Sequence, residues 1–150
     1  MSRLIVLDSG PLGLLTNPRR TPEVVVCDRW LRSVLDGGAR VVVPEIADYE
    51  IRRELLRARK TNGLRRLDRL VSTLVYVPIT TEAMRLAAQW WAQIRQQGRP
   101  TADPHALDAD VILAAQAQLA AGPNDTIVVA TTNVGHLGRL VPAQRWDEIV

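Results

Sequence analysis

The stretch Arg3-Leu4-Ile5-Val6-Leu7-Asp8-Ser9-Gly10 (RLIVLDSG) decides how the rest of the chain is read. Residues 3–7 form an almost unbroken apolar run. A strand with one wet face would alternate apolar and polar residues, whereas a continuous run suits a strand covered on both faces, as in a parallel sheet. Ser9, Gly10 and Pro11 end it. Asp-Ser-Gly-Pro is good turn chemistry. Yet Asp8 also stands at the carboxyl end of a buried strand, where open α/β sheets bind their ligands.

The same alternation continues outward. Residues 23–36 read as a helix with an apolar stripe of Val24, Val25, Cys27, Leu31, Val34 and Leu35, stopped by Gly37 and Gly38. Residues 40–43 (RVVV) are a second strand. Pro44 suits the first turn of a helix running to about Lys60, broken by Asn62 and Gly63, with a further helix to about Val71. Residues 74–77 (LVYV) are a third strand. Thr80 or Thr81 caps a long helix to about Gln97. There the adjacent Trp90 and Trp91 read as packing residues rather than base-stacking ones. After a loop from Gly98 to Pro104, a helix spans about Leu107 to Ala121. Residues 126–130 (TIVVA) are a fourth strand, TTNVGHL follows as a loop or turn, and Leu140–Val141 is a candidate edge strand. Strands alternating with helices imply a mostly parallel sheet in an α/β fold, with helices on both faces. No repeat or linker divides the chain, which is expected to be one domain over residues 1–150.

Composition narrows the function. The chain has 150 residues, 47% of them hydrophobic, enough for one well-supplied core. No apolar run approaches the ~20 residues of a membrane span. The short run before Asp8 makes a poor signal peptide, so a cytoplasmic protein is expected. The single cysteine, Cys27, sits on an apolar helix face without zinc-spaced partners and reads as core. The net charge is +3 and Lys60 is the only lysine. Arg52, Arg53, Arg57, Arg59, Lys60, Arg65, Arg66 and Arg69 cluster in one segment. Such a cluster fits phosphate contacts, although a solvated helical hairpin gives the same pattern.

The acids past the strands carry the chemistry. Asp8 follows the first strand. Glu50 lies on the helix after the second, although periodicity alone does not separate it from Glu45, Asp48 or Glu54. Asp108 and Asp110 open the helix that precedes the fourth strand. Two positions apart on a helix point about 200° apart. Both can therefore face one site only if Asp108 precedes the helix, where it could also cap it. Thr131 and Asn133 follow the fourth strand. Carboxylates gathered in this way repel one another and raise each other's pKa, which a divalent cation relieves. Oxygen ligands suit Mg²⁺ or Mn²⁺. Phosphodiester hydrolysis uses such an ion to activate water and to stabilise charge on the leaving oxygen. No phosphate-binding loop, dinucleotide fingerprint or nucleophile elbow is present.

The ordered set resembles the PIN-domain nuclease family. LIVLDSG supplies the opening apolar strand with Asp8 and Ser9. PEIADYEIRREL supplies the helix with Glu50. Asp110 stands four residues ahead of the Ala114–Ala115 pair, and Thr131-Thr132-Asn133 gives the closing Thr-x-Asn. The chain length is similar to the compact VapC-like bacterial toxins. The resemblance implies an α/β/α sandwich, metal-dependent endoribonuclease activity, a homodimer and a co-expressed antitoxin. It implies metal at Asp8, Glu50 and Asp110, with Asp108 as a further candidate. Ser9, Thr131 and Asn133 would orient water or carboxylates, and Arg53 with its basic neighbours would hold RNA. Two features depart from the pattern. Asn133 is neutral where a fourth acid is common, and the motif ends in His136–Leu137 rather than Asp-Phe. His136 and His105 read as surface or core residues rather than proton shuttles.

Two other readings compete. Phosphatases with an Asp nucleophile share the opening strand, but they carry a second Asp two residues on, where Gly10 stands. A non-enzymatic module that binds RNA or protein is the other alternative.

Overall fold

In the computed structural model the first apolar run is the central strand of a five-stranded sheet. The structure describes residues 2–98, 104–135 and 137–150. The strands are β1 (Arg3–Leu7), β2 (Arg40–Pro44), β3 (Val75–Val77), β4 (Thr126–Thr131) and β5 (Ala143–Arg145), in the spatial order β3-β2-β1-β4-β5. Every pairing is parallel. Ile5 lies opposite Val41 on one side and Val128 on the other. With neighbours on both edges and helices on both faces, Leu4 to Leu7 are almost wholly removed from water. That burial is why the run is continuous and not alternating.

Among the described residues six α-helices flank the sheet: α1 (Ser9–Thr16), α2 (Pro22–Asp36), α3 (Glu45–Arg57), α4 (Thr61–Thr73), α5 (Thr81–Gln96) and α6 (Pro104–Ala120). The result is the expected three-layer α/β/α arrangement. Thr21 caps α2 by accepting a 3.3 Å bond from the Val24 amide, with Pro22 in its first turn. Thr80 does the same for α5 through the Ala83 amide at 3.0 Å. Helices α1, α2, α3 and α4 pack on one another, while α5 packs on α6. A second small core of Ala83, Ala87, Leu107, Val111 and Ala115 joins α5 to α6, and Trp90 and Trp91 close over it as packing residues. Cys27 is fully buried, and burial pushes its thiol up to about 12, in keeping with a core role. Among the described residues no helix is long and apolar enough to cross a membrane.

Four local expectations need correction. The Ser9-Gly10-Pro11 stop is the first turn of α1, capped by Asp8. Proline is tolerated there because first-turn amides lack intrahelical partners anyway. Asn62 and Gly63 lie inside α4. The break is at Arg59, whose φ is +54°. Gly63 lies where α4 meets α3, and a Cβ there would come within 2.7 Å of Leu55 Cδ2, so that side chain would have to shift. The edge strand is Ala143–Arg145, not Leu140–Val141: Val141 points into the core while the Pro142 carbonyl accepts the Val129 amide. Lastly, α6 begins at Pro104, so Asp108 lies within the helix and does not cap it.

Candidate active site

The order of the sheet reverses between β1 and β4. From β1 the chain builds outward through β2 and β3, then returns to lay β4 on the other side. Parallel sheets open a crevice at the carboxyl ends of the strands at such a point. Asp8 ends β1 there and Thr131 ends β4.

Asp8 is held rigidly. Its amide donates to the Ala130 carbonyl at 2.9 Å, which continues the ladder. One carboxylate oxygen accepts the Ser9 amide at 2.7 Å as the cap of α1, and the other accepts the Thr131 hydroxyl, also at 2.7 Å. Thr131 is itself buried, and its oxygen accepts the Asn133 amide at 3.1 Å. The two strand ends are thus tied by side chains as well as by the ladder. The close approach extends to Gly10. A Cβ there would lie 2.5 Å from Thr132 Cγ2 and 2.6 Å from its hydroxyl. A side chain at Gly10, such as the second aspartate of an Asp-nucleophile phosphatase, would require Thr132 to move.

Two further acids reach this crevice from helices. Glu50 lies on α3, after β2, and Asp110 on α6. Burial raises the pKa of Glu50, the negative charges of Asp8 and Asp110 raise it further, and the Arg53 guanidinium opposes them. Burial and the Asp8 charge push Asp110 up to about 6. Asp8 thus acts on both of the others, so the three carboxylates form one electrostatic group built from three elements far apart in sequence. Asp108 lies on the same helix as Asp110, two residues before it. It lines one cleft with Tyr49, Glu50 and Arg53 and another between α5 and α6.

The donor set suits a hard divalent cation in its chemistry, being all oxygen and mutually repelled. Yet among the described residues no three acidic, histidine or cysteine side chains converge as a ready-made cage. The group is electrostatically assembled around the fixed Asp8, and the Glu50 and Asp110 side chains would have to turn inward to close on an ion.

A buried amide sets where the two helical acids stand. Gln116, on α6, accepts the Ile46 amide at 3.1 Å and donates to the Val77 carbonyl at 2.8 Å. It supplies the partner that Pro44 cannot offer at the start of α3, and it bridges the helices of Asp110 and Glu50. A buried glutamine inside an otherwise apolar Ala-rich helix was the available signal for this in the sequence, and sequence reasoning missed it. Asn133 is exposed at the loop after β4, tied by its backbone. Ser9 contributes its amide to Asp8. The basic segment is partly self-occupied: Arg52 binds Asp48 and Asp68, and Arg57 binds Glu54. His136 lies outside the described residues, as does the side chain of His105.

No protein-family model and no curated protein matches the sequence. Solved structures do match its fold. A VapBC2 structure from Rickettsia felis, bound to a DNA fragment from its promoter, aligns with a TM-score of 0.70 at 13% identity, over 95% of this chain and 98% of that one. A VapBC-1 structure from nontypeable Haemophilus influenzae aligns with a TM-score of 0.68 at 20% identity, over 97% and 99% of the two chains. VapC20 of Mycobacterium tuberculosis, described as a sarcin-ricin loop cleaving toxin, aligns at 0.64 and 15% identity, over 90% and 93%. The chain therefore has the PIN-type α/β/α fold of the VapC toxin structures, as the opening strand and its aspartate led one to expect.

Proposed function

We propose that this chain is a metal-dependent endoribonuclease and the toxin of a toxin–antitoxin pair. The observation that carries the reading is the electrostatic group of Asp8, Glu50 and Asp110 at the crevice between β1 and β4. The VapBC character of several fold neighbours, and the RNA-cleaving description of one, support it. By the same reasoning a cognate antitoxin and a homodimer are the partners proposed, and the cytoplasm the location.

Asp8, Glu50 and Asp110 would hold Mg²⁺ or Mn²⁺, with Asp108 a further candidate from the neighbouring cleft. When bound, such an ion neutralises the acids, polarises water and stabilises charge on the leaving oxygen. The protein supplies positioning. The Thr131 hydroxyl and the Ser9 amide fix both oxygens of Asp8, so this carboxylate needs no reorganisation as charge develops. Arg53, at the edge of the group, offsets negative charge near Glu50 and is suited to a phosphate of the RNA. Arg59 and Lys60, just before α4, and Arg66 and Arg69 on it line grooves and supply sequence-independent backbone contacts. Asn133 stands near the Thr131 end and would orient water.

A second reading has one observation in its favour. The three acids are not closed into a cage, and the fourth position is the neutral Asn133, which fits a weak or inactive module that binds RNA or protein. The deciding experiment incubates the purified, antitoxin-free protein with total RNA and Mn²⁺ or Mg²⁺. EDTA and an Asp8→Asn/Asp110→Asn double variant are the controls. Discrete fragments that need both metal and acids are the expected result. Intact RNA in every condition, from a folded sample, would leave the binding module.

A further inference from the structure

Beside the acidic group, α3 presents a large aromatic ring that the catalytic reading does not use. Tyr49 directly precedes Glu50 and is 55% exposed, although Ile46 and Ala47 just before it are buried. An exposed aromatic alone means little. This one lines a cleft of about 220 Å³ together with Ile46, Glu50, Arg53 and Asp108. The Arg53 guanidinium lies over the ring, 5.1 Å from its centroid. That contact holds the ring in one orientation and turns a flexible pair into a flat, cationic platform. The platform opens into the same cleft as Glu50, its neighbour on α3.

We propose that Tyr49, steadied by Arg53, is a stacking platform for one nucleobase of single-stranded RNA next to the phosphodiester presented to the acids. The inference rests on the ribonuclease reading for its substrate class. A π-face accepts any base, and an adjacent guanidinium adds both cation–π attraction and a phosphate contact. Purines, with the larger surface, stack more strongly. The neighbouring Asp48 side chain cannot compete for the site, being occupied by Arg52 and by the Tyr76 hydroxyl.

The test measures binding without turnover. The full chain carrying Asp8→Asn/Asp110→Asn is titrated into a short fluorescent oligoadenylate, and into a strand of equal length in which the bases are abasic sites. Tyr49→Ala should weaken the oligoadenylate about 5- to 20-fold, toward the low end of one stacked base. It should leave the abasic strand unchanged. Tyr49→Phe should bind both strands as the parent does, and circular dichroism reports whether each variant is folded. Equal binding of the oligoadenylate by parent and Tyr49→Ala would overturn the proposal. So would equal losses on both strands, which would give the ring a packing or protein-contact role. Cleavage is scored separately. A chain that cuts no RNA but shows this base-dependent pattern keeps the platform and loses the nuclease, and the reverse result does the opposite.

Discussion

Replacing Asp110 by asparagine should make the metal-free protein more stable, although it removes a proposed metal ligand. Folding lifts the Asp110 pKa from 3.8 to about 6. The sign follows from the raised value. The folded chain binds this proton more tightly than the unfolded chain, so stability falls as pH rises between those two values and is level above them. About two pH units correspond to at most about 3 kcal/mol, at 1.36 kcal/mol per unit. Because the crevice is open to water, screening reduces this to about 1–2 kcal/mol. Asparagine keeps the shape and removes the charge, and it also relieves Glu50, whose pKa Asp110 helps to raise. The residue lies beyond the first turn of α6, so little helix-dipole stabilisation is lost.

For a domain of this size the gain corresponds to a melting temperature about 3–6 °C higher. The assay is calorimetry in EDTA, at about pH 8 and again at about pH 4, below the raised value, where the parent regains its proton. The two proteins should differ at the higher pH and converge at the lower. Adding Mn²⁺ should stabilise the parent more than the variant. A variant that melts at or below the parent in EDTA at the higher pH would refute the claim that burial and the Asp8 charge disfavour the Asp110 carboxylate in this fold.

Two further outcomes follow from the contacts of Asp8. Thr131→Val removes the hydroxyl that donates to Asp8 at 2.7 Å while keeping the side-chain shape. It should cost about 1.5–3 kcal/mol in chemical denaturation, the range for a bond to a charged group, and it should lower RNA cleavage, whereas Thr131→Ser should retain both. Gly10→Ala places a methyl group against Thr132, 2.5 Å from its Cγ2. It should destabilise by about 1–3 kcal/mol, and Thr132→Ala in the same chain should recover part of the loss; failure to recover would mean that the clash is absorbed elsewhere.

The parts of this fold that were legible in the sequence are those where burial dictates composition. Residues 3–7 could be assigned to a central parallel strand because two neighbours and two helical layers leave no wet face, and β2 and β4 followed by the same logic. Asp8 was legible because it ends such a strand. Helix α1 was hidden, since Ser-Gly-Pro is turn chemistry unless an aspartate caps it and a proline occupies the first turn. Glu50 could not be told from Glu45, Asp48 or Glu54 by periodicity. The structure separates them by partners: Glu45 accepts the Ile79 amide, Asp48 is occupied by Arg52 and Tyr76, and Glu54 is paired with Arg57. Glu50 instead is shifted by Asp8 and Asp110. That distinction lies in long-range contacts, which no local pattern encodes.

The three acids are held in different ways, and the difference bears on how the site is built. Asp8 is anchored by two bonds at 2.7 Å from groups already fixed by α1 and β4. Glu50 and Asp110 are instead raised in pKa by burial and by Asp8 itself. One carboxylate is therefore anchored by hydrogen bonds, while the other two are held in a place that disfavours their charge. Such an arrangement keeps electrostatic strain in store for whatever neutralises it, and the strain is small beside the stability that the fully buried core around β1 supplies. The bridge from Gln116 to Ile46 and Val77 keeps α3 and α6 from relaxing apart to relieve the repulsion. An anchored acid, two strained ones and a buried amide that prevents their escape together make the crevice a site prepared for positive charge, and that preparation makes the gain in stability of Asp110→Asn a sharper test than loss of activity alone.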